Sequence, residues 1–235
     1  MNRLVKKLFA CFCAAIVLVS LSAHAWAYSL SFDPIETEIG VEDTFGIDVV
    51  IAGLEADNLA EFSLNVIFDE SILDFESLIF GSELGDINSG EADNWSLPYL
   101  EDGIIDISEL SYLPTSAFQS QPDEFVLLSI IFVADSLGIS PLTFSDIVLG
   151  NEMGESLDGP LTLEEGSVTT HEVAAGDVDD SGDLDLRDAI LSLQIISKMS
   201  LTESVHKGAD VNGDKRIGLE ETVYILQKVA ELRNE

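Results

Sequence analysis

DVDDSGDLDLRD, Asp177 to Asp188, and DVNGDKRIGLEE, Asp210 to Glu221, lie 33 positions apart near the C-terminus. Each puts oxygen-bearing side chains at its first, third and fifth residues and a carboxylate at its twelfth. Each also has an apolar eighth residue, Leu184 or Ile217. A hard cation such as Ca²⁺ needs several oxygens converging from a tight turn, and this spacing supplies them. A solvated acidic linker would not produce two matched twelve-residue spacings.

The spacing is that of an EF-hand type loop, and it assigns the ligands. In the first loop the side chains of Asp177, Asp179, Ser181 and Asp188 converge with the Asp183 carbonyl, and Asp185 acts directly or through water. Six aspartates within twelve residues (Asp180 completes the set) repel one another without a cation, so the segment is expected to fold poorly alone. Gly182 stands at the sharp turn, where a positive φ is easiest without a Cβ. The second site is built from Asp210, Asn212, Asp214, the Arg216 carbonyl and Glu221. Here Lys215 occupies the turn position, which strains a non-glycine residue, and Lys215 and Arg216 bring positive charge close to the ion. Two Ca²⁺ sites are expected, the second weaker.

Each loop leads into a helical pattern. Leu186, Ala189, Ile190, Leu193 and Ile196 align, 33 residues on, with Leu219, Thr222, Val223, Leu226 and Val229, at the three-and-four spacing of one helix face. HEVAAG and SVHKGA, which precede the loops, are short and broken by glycine, so no entering helix is expected. A loop with its exiting helix, twice, resembles the dockerin module, a Ca²⁺-dependent unit that plugs proteins into cohesin domains. The resemblance implies a paired EF-hand-like, α-helical domain over 177–235, after a linker at 171–176. It also implies partner contacts at Arg187 and Glu220 at the helix starts, and at Gln194, Lys198 and Gln227 farther along. By pattern these positions fall beside or outside the apolar stripe.

The N-terminus carries Arg3, Lys6 and Lys7, an apolar run from Leu8 to Leu21, then Ala25-Trp26-Ala27. That is the order of a secretory signal peptide over 1–27, cleaved after Ala27; the run is short for a membrane span. Secretion follows as an expectation, with no membrane span after cleavage. Both cysteines, Cys11 and Cys13, would leave with the leader, and with them any disulfide or thiolate chemistry. Charge is uneven: no lysine or arginine occurs between Lys7 and Arg187. Without residues 1–27 the chain has 7 basic and 44 acidic residues, a net of −37. Nucleic acid and anionic lipid would be repelled, so neither is an expected partner.

Residues 28–170 read as β structure. Phe62, Leu64, Val66 and Phe68 alternate with Ser63, Asn65 and Ile67, a period of two with one face buried. FVLLSIIFV, Phe125 to Val133, is long enough for a strand between two layers. Further strands are expected at Leu30–Phe32, Phe45–Ile51, Leu73–Ile79, Ile104–Leu110, Leu142–Phe144 and Leu161–Val168, separated by turn signals such as Asp33-Pro34 and Asp102-Gly103. The fold class is therefore mainly β, an antiparallel sandwich. The order SFDPIETEIGVEDTFGIDVVIAGL, then AEFSLNVIFDESILDFESL with its Phe68, Asp69 and Ile72-Leu73, then SVTT, resembles a cohesin domain. Cohesins are jelly-roll sandwiches related in fold to some carbohydrate-binding modules.

Trp95, Tyr99 and Tyr112 could stack on a sugar, though such aromatics more often cover a core. His171 and His206 lack the companions of a triad or zinc site and read as solvated. With so many carboxylates a chance acid pair means little, and no enzyme is expected. The two resemblances together imply a secreted scaffold connector serving extracellular polysaccharide breakdown. Its partners would be cohesin- or dockerin-bearing proteins, with a second copy of this chain among the candidates. The alternative is an adhesive or carbohydrate-binding module whose sandwich contacts polysaccharide directly.

Overall fold

The computed structural model describes residues 27–54, 57–94, 99–201 and 204–232. The leader up to Trp26, and the Trp95 candidate, lie outside the described residues, as does the Tyr99 side chain. In chain order the strands are β1 (Tyr28–Asp33), β2 (Glu36–Gly40), β3 (Thr44–Ala52), β4 (Glu61–Ile67), β5 (Leu73–Phe80), β6 (Ala92–Asp93), β7 (Tyr99–Glu101), β8 (Ile104–Ser111), β9 (Glu124–Ala134), β10 (Gly138–Gly150), β11 (Leu161–Glu164) and β12 (Gly166–His171). Helices α1 (Leu186–Ile196) and α2 (Leu219–Val229) follow. One sheet runs β11-β1-β3-β9-β5; the other runs β2-β12-β10-β4-β8-β6, with β7 paired to β8.

The two sheets face each other across a single apolar layer. On β4, Phe62, Leu64 and Val66 point inward as the alternation requires, and Phe68 continues the buried row beyond the strand. Phe32 stacks on Phe144 with ring centroids 4.1 Å apart, and Phe68 meets Phe132 edge-on at 5.1 Å. Each such side chain contributes about 2 kcal/mol by leaving water, and the layer is long enough to hold the sandwich without disulfides.

Three expectations need correction. The run 125–133 is not buried on both faces: β9 lies inside its sheet, but Val126, Ser129, Ile131 and Val133 are half-exposed. Leu127 and Leu128 are both buried because the pairing with β3 slips by one residue at Val49/Val50. The run Leu161–Val168 is two strands in different sheets, broken at Glu165. The sandwich is also not purely antiparallel, since β1 pairs in parallel with β11, and β2 with β12. One event explains the last two. The chain changes sheets at Asp33–Ile35 and again at Gly166, and a Cβ on Gly166 would lie 2.9 Å from the Ile35 carbonyl oxygen. The crossings run side by side in the same direction, so the strands leaving them pair in parallel.

Beyond β12 the chain does not swing free. Val173 is buried and packs with Val178, Ala189, Leu191, Ala209, Ile217 and Ile225, a second apolar cluster under the two helices. No helix among the described residues is long and apolar enough to cross a membrane.

Candidate metal centres and docking face

The two acidic loops share one backbone design. Positive φ occurs at the fourth and sixth residues of each: Asp180 (53°) and Gly182 (82°), then Gly213 (77°) and Lys215 (63°). The first carboxylate accepts the sixth N–H, Asp177 Oδ2 from Gly182 at 2.9 Å and Asp210 Oδ2 from Lys215 at 2.6 Å. The twelfth carboxylate accepts the second and ninth N–H groups. Asp188 takes those of Val178 (2.8 Å) and Asp185 (2.9 Å); Glu221 takes those of Val211 (3.3 Å) and Gly218 (2.5 Å). Backbone amides thus fold each loop around its anionic ends.

In the first loop Asp177, Asp179 and Asp188 gather carboxylate oxygens within 4.8 Å of one another, and Asp177 and Asp188 are buried. Burial pushes the Asp177 carboxyl above its ordinary range; Gly182 and Ser181 N–H groups oppose this, and the charges of Asp188 and Asp179 add to it. Asp179 Oδ2 is buried without a hydrogen bond, with Arg187 Nε 3.2 Å away as an ion pair. That oxygen, together with the two buried carboxylates beside it, makes a donor set that fits a hard divalent cation. Ser181 and the Asp183 carbonyl lie together beside this triad, the Ser181 hydroxyl donating to that carbonyl at 3.3 Å. Asp185 caps α1, accepting from Arg187 N at 2.6 Å.

The second loop is more open, with Asn212, Asp214 and Arg216 exposed and Glu221 buried. Burial raises the Asp210 carboxyl, but N–H groups of Asn212, Lys215 and Gly213 outweigh it and hold the acid below its ordinary range. Asp210 is thus satisfied by backbone, whereas Asp177 is crowded by like charges. Lys215→Gly is expected to tighten Ca²⁺ binding at the second loop about fivefold, because relieving a non-glycine positive φ recovers about 1 kcal/mol. Titration calorimetry of the single variant, read at the weaker of the two events, checks this, and an unchanged affinity there would refute the strain argument.

The helices present a different face from the one their pattern suggests. Of the expected stripe only Ala189 and Thr222 are buried; Leu186, Ile190, Leu193 and Ile196 are exposed, as are Leu219, Val223, Leu226 and Val229. What packs between the helices is Ala189, Leu191 and Ser192 against Thr222 and Ile225. The twelfth ligand sets the rotation. Asp188 and Glu221 must point back into their loops, and Leu186, Ile190 and Leu193 stand roughly 140–200° round the helix from Asp188. Met199 and Leu232, just beyond the two helices, are exposed as well, again 33 positions apart. Arg187, Glu220 and Lys198 are exposed and Gln194 and Gln227 half-buried, along the margin of this face.

His171 and His206 are each paired with a carboxylate rather than free in solvent. His206 is 9% exposed, and its Nδ1 lies 2.5 Å from Asp43 Oδ2. His171 Nε2 lies 2.5 Å from Asp180 Oδ2. Asp43 lies 163 positions from His206, so no local pattern marks that pair, whereas Asp180 is only nine residues from His171. Tyr112 is exposed, with its hydroxyl 3.5 Å from Asp93.

No family model matches this chain, and no curated protein matches it. Solved structures do. The sixth cohesin of scaffoldin B from Acetivibrio cellulolyticus, solved in complex with the Cel5 dockerin, is 15% identical; the match covers 62% of this chain and 99% of that one, with a TM-score of 0.51. CaCohA2 from Clostridium acetobutylicum is 16% identical over 63% of this chain and 92% of that one, TM-score 0.46. A non-cellulosomal cohesin from the archaeon Archaeoglobus fulgidus is 14% identical over 62% and 91%, TM-score 0.47. At such identities the likeness is one of fold: the sandwich has the cohesin fold.

Proposed function

We propose that this chain is a secreted, non-catalytic connector with a dockerin-like C-terminal module that docks through Ca²⁺-ordered helices. The sandwich in turn receives a dockerin-bearing protein, and the assembly serves extracellular polysaccharide breakdown. The observation that carries this reading is the exposed apolar face repeated at 33 residues above two matched ligand loops. Contiguous exposed apolar side chains mark an interaction surface, and here Ile190 is 55% and Val223 44% exposed. The cohesin fold of the sandwich and the leader-like N-terminus support the same reading.

The test is capture from culture supernatant by the chain from Tyr28 onward, with Ca²⁺ or with chelator. Proteins bearing similar sandwiches or loops should be recovered in Ca²⁺ alone, and the Ile190→Asp/Val223→Asp double variant should lose those held by the helices. Retention on insoluble polysaccharide in chelator, with no protein captured, would overturn the connector reading. Analytical ultracentrifugation in Ca²⁺ tells whether the partner is a second copy: concentration-dependent chains would show it.

A further inference from the structure

The turn between β2 and β3 is plugged into the C-terminal module. Asp43, buried on that turn, faces His206 through Oδ2 and accepts the Lys207 N–H through Oδ1 at 3.0 Å. A carboxylate can only accept here, so His206 Nδ1 carries the proton. The backbone N–H of His206, separately from its ring, donates to the Val178 carbonyl at 3.1 Å. His206 Nδ1 also lies 3.9 Å from Asp180 Oδ2, the oxygen that His171 of β12 engages from the sandwich side. Val178 and Asp180 are the second and fourth residues of the first loop, interleaved with Asp177 and Asp179.

Close packing fixes the joint. A Cβ on Gly40 would sit 2.3 Å from Val173 Cγ2, and one on Gly208 would sit 2.9 Å from Val173 Cβ and 3.1 Å from the Val41 oxygen. The Val41 N–H donates to the His171 carbonyl at 2.9 Å. Turn, strand end and loop therefore meet without room for a flexible tether.

We infer that Asp43, a residue of the sandwich, is a positioning residue for the first Ca²⁺ site, acting through His206 on Val178 and Asp180. The inference rests on the Ca²⁺ reading of the loop proposed above. Groups that bond a metal's ligands directly fix their orientation, and losing one costs about 10- to 100-fold in affinity; Asp43 acts one residue farther back, on the loop backbone between ligands, so the low end of that range is expected. Coupling is reciprocal, so Ca²⁺ that is held better because of the sandwich must stabilise the sandwich equally. The two parts then respond to Ca²⁺ as one unit rather than as two beads on a linker.

In a chain beginning at Tyr28, Trp95 is the one tryptophan, and it belongs to the sequence segment 28–170 rather than to the C-terminal module. Ca²⁺ should raise the Trp95-monitored unfolding midpoint of the wild type. Asp43→Ala should weaken the calorimetric event that Asp188→Ala removes by about tenfold and abolish that midpoint shift. His206→Ala should do the same, while His206→Asn, whose amide N–H reaches the place of Nδ1, should restore much of both. That pair decides the matter if Asp43→Ala does not fold. Wild-type binding that neither Asp43→Ala nor His206→Ala changes by more than about twofold, with the Trp95 shift intact, overturns the inference alone. No Ca²⁺ heat in the wild type would overturn the metal reading and this inference with it.

Discussion

Replacing Glu109 by glutamine is expected to flatten the pH dependence of unfolding between pH 5 and 8 and to make the chain more stable at the alkaline end. Glu109 lies on the inward face of β8 beside Ile105 and Ile107, opposite Phe62, and is 1% exposed. Its Oε1 is buried without a hydrogen-bond partner. Burial pushes this carboxyl up from 4.5 to about 8. Below pH 4.5 both folded and unfolded chains hold the proton, and the group costs nothing electrostatically. Above it the unfolded chain ionises while the folded chain stays protonated, so stability falls by about 1.4 kcal/mol per pH unit. The loss levels off above the folded value of about 8, after on the order of 5 kcal/mol in all. Urea midpoints at pH 5, 6.5 and 8, in constant Ca²⁺, give the wild-type-minus-variant difference. A difference independent of pH would show that Glu109 titrates as an ordinary exposed acid. Glu109→Leu should stabilise at least as much as the glutamine, because it also removes the unpaired polar atom.

Glu109 also marks where sequence reading stops. On β8 the inward row reads Ile105, Ile107, Glu109, and an acid at the end of an apolar row looks like the point where a strand leaves the core. Only the fold shows that it is still covered, paired to Phe62 of β4 and 1% exposed. The sandwich itself was legible because burial on β4 has a period of two, which few other structures produce. The short partners β2, β6 and β7 were not, since their side chains carry little apolar signal and their pairing comes from neighbours remote in sequence. The matched backbone of the two loops was legible for a different reason: their spacing is local, so twelve residues state it, and the first and twelfth carboxylates accept the same N–H groups in both. The orientation of the helices was not, although the information was present. An apolar stripe reads as core by default, and here the twelfth ligand of each loop turns the opposite face inward. The histidine joint depends on Asp43, 163 positions from His206, which no pattern within a window can connect.

Asp188→Ala should be the most damaging single change in the C-terminal module. The carboxylate is fully buried and accepts N–H groups from Val178, Asp179 and Asp185. Truncation leaves those donors unpaired and removes a ligand from the Asp177, Asp179, Asp188 triad. Each buried donor left without a partner costs about 1–3 kcal/mol, and a Ca²⁺ ion at a hundredfold excess over its dissociation constant supplies about 2.7 kcal/mol that the variant would forgo. The apolar cluster beneath the helices is small, with seven buried residues from Val173 to Ile225. Losses of that size exceed what it can offset. Helical circular dichroism should therefore fall sharply in Asp188→Ala even with Ca²⁺ present, and the tighter calorimetric event should vanish. Wild type in chelator should show a smaller loss, because the three N–H bonds to Asp188 survive without the ion. Glu221→Ala should remove the weaker event and cost less, since the loop it closes is more exposed and its first aspartate is already satisfied by backbone. Should Asp188→Ala keep its helical signal and its Ca²⁺ heat, the buried triad would not be the metal centre. The exposed apolar face would then need some other cause of order than a bound ion.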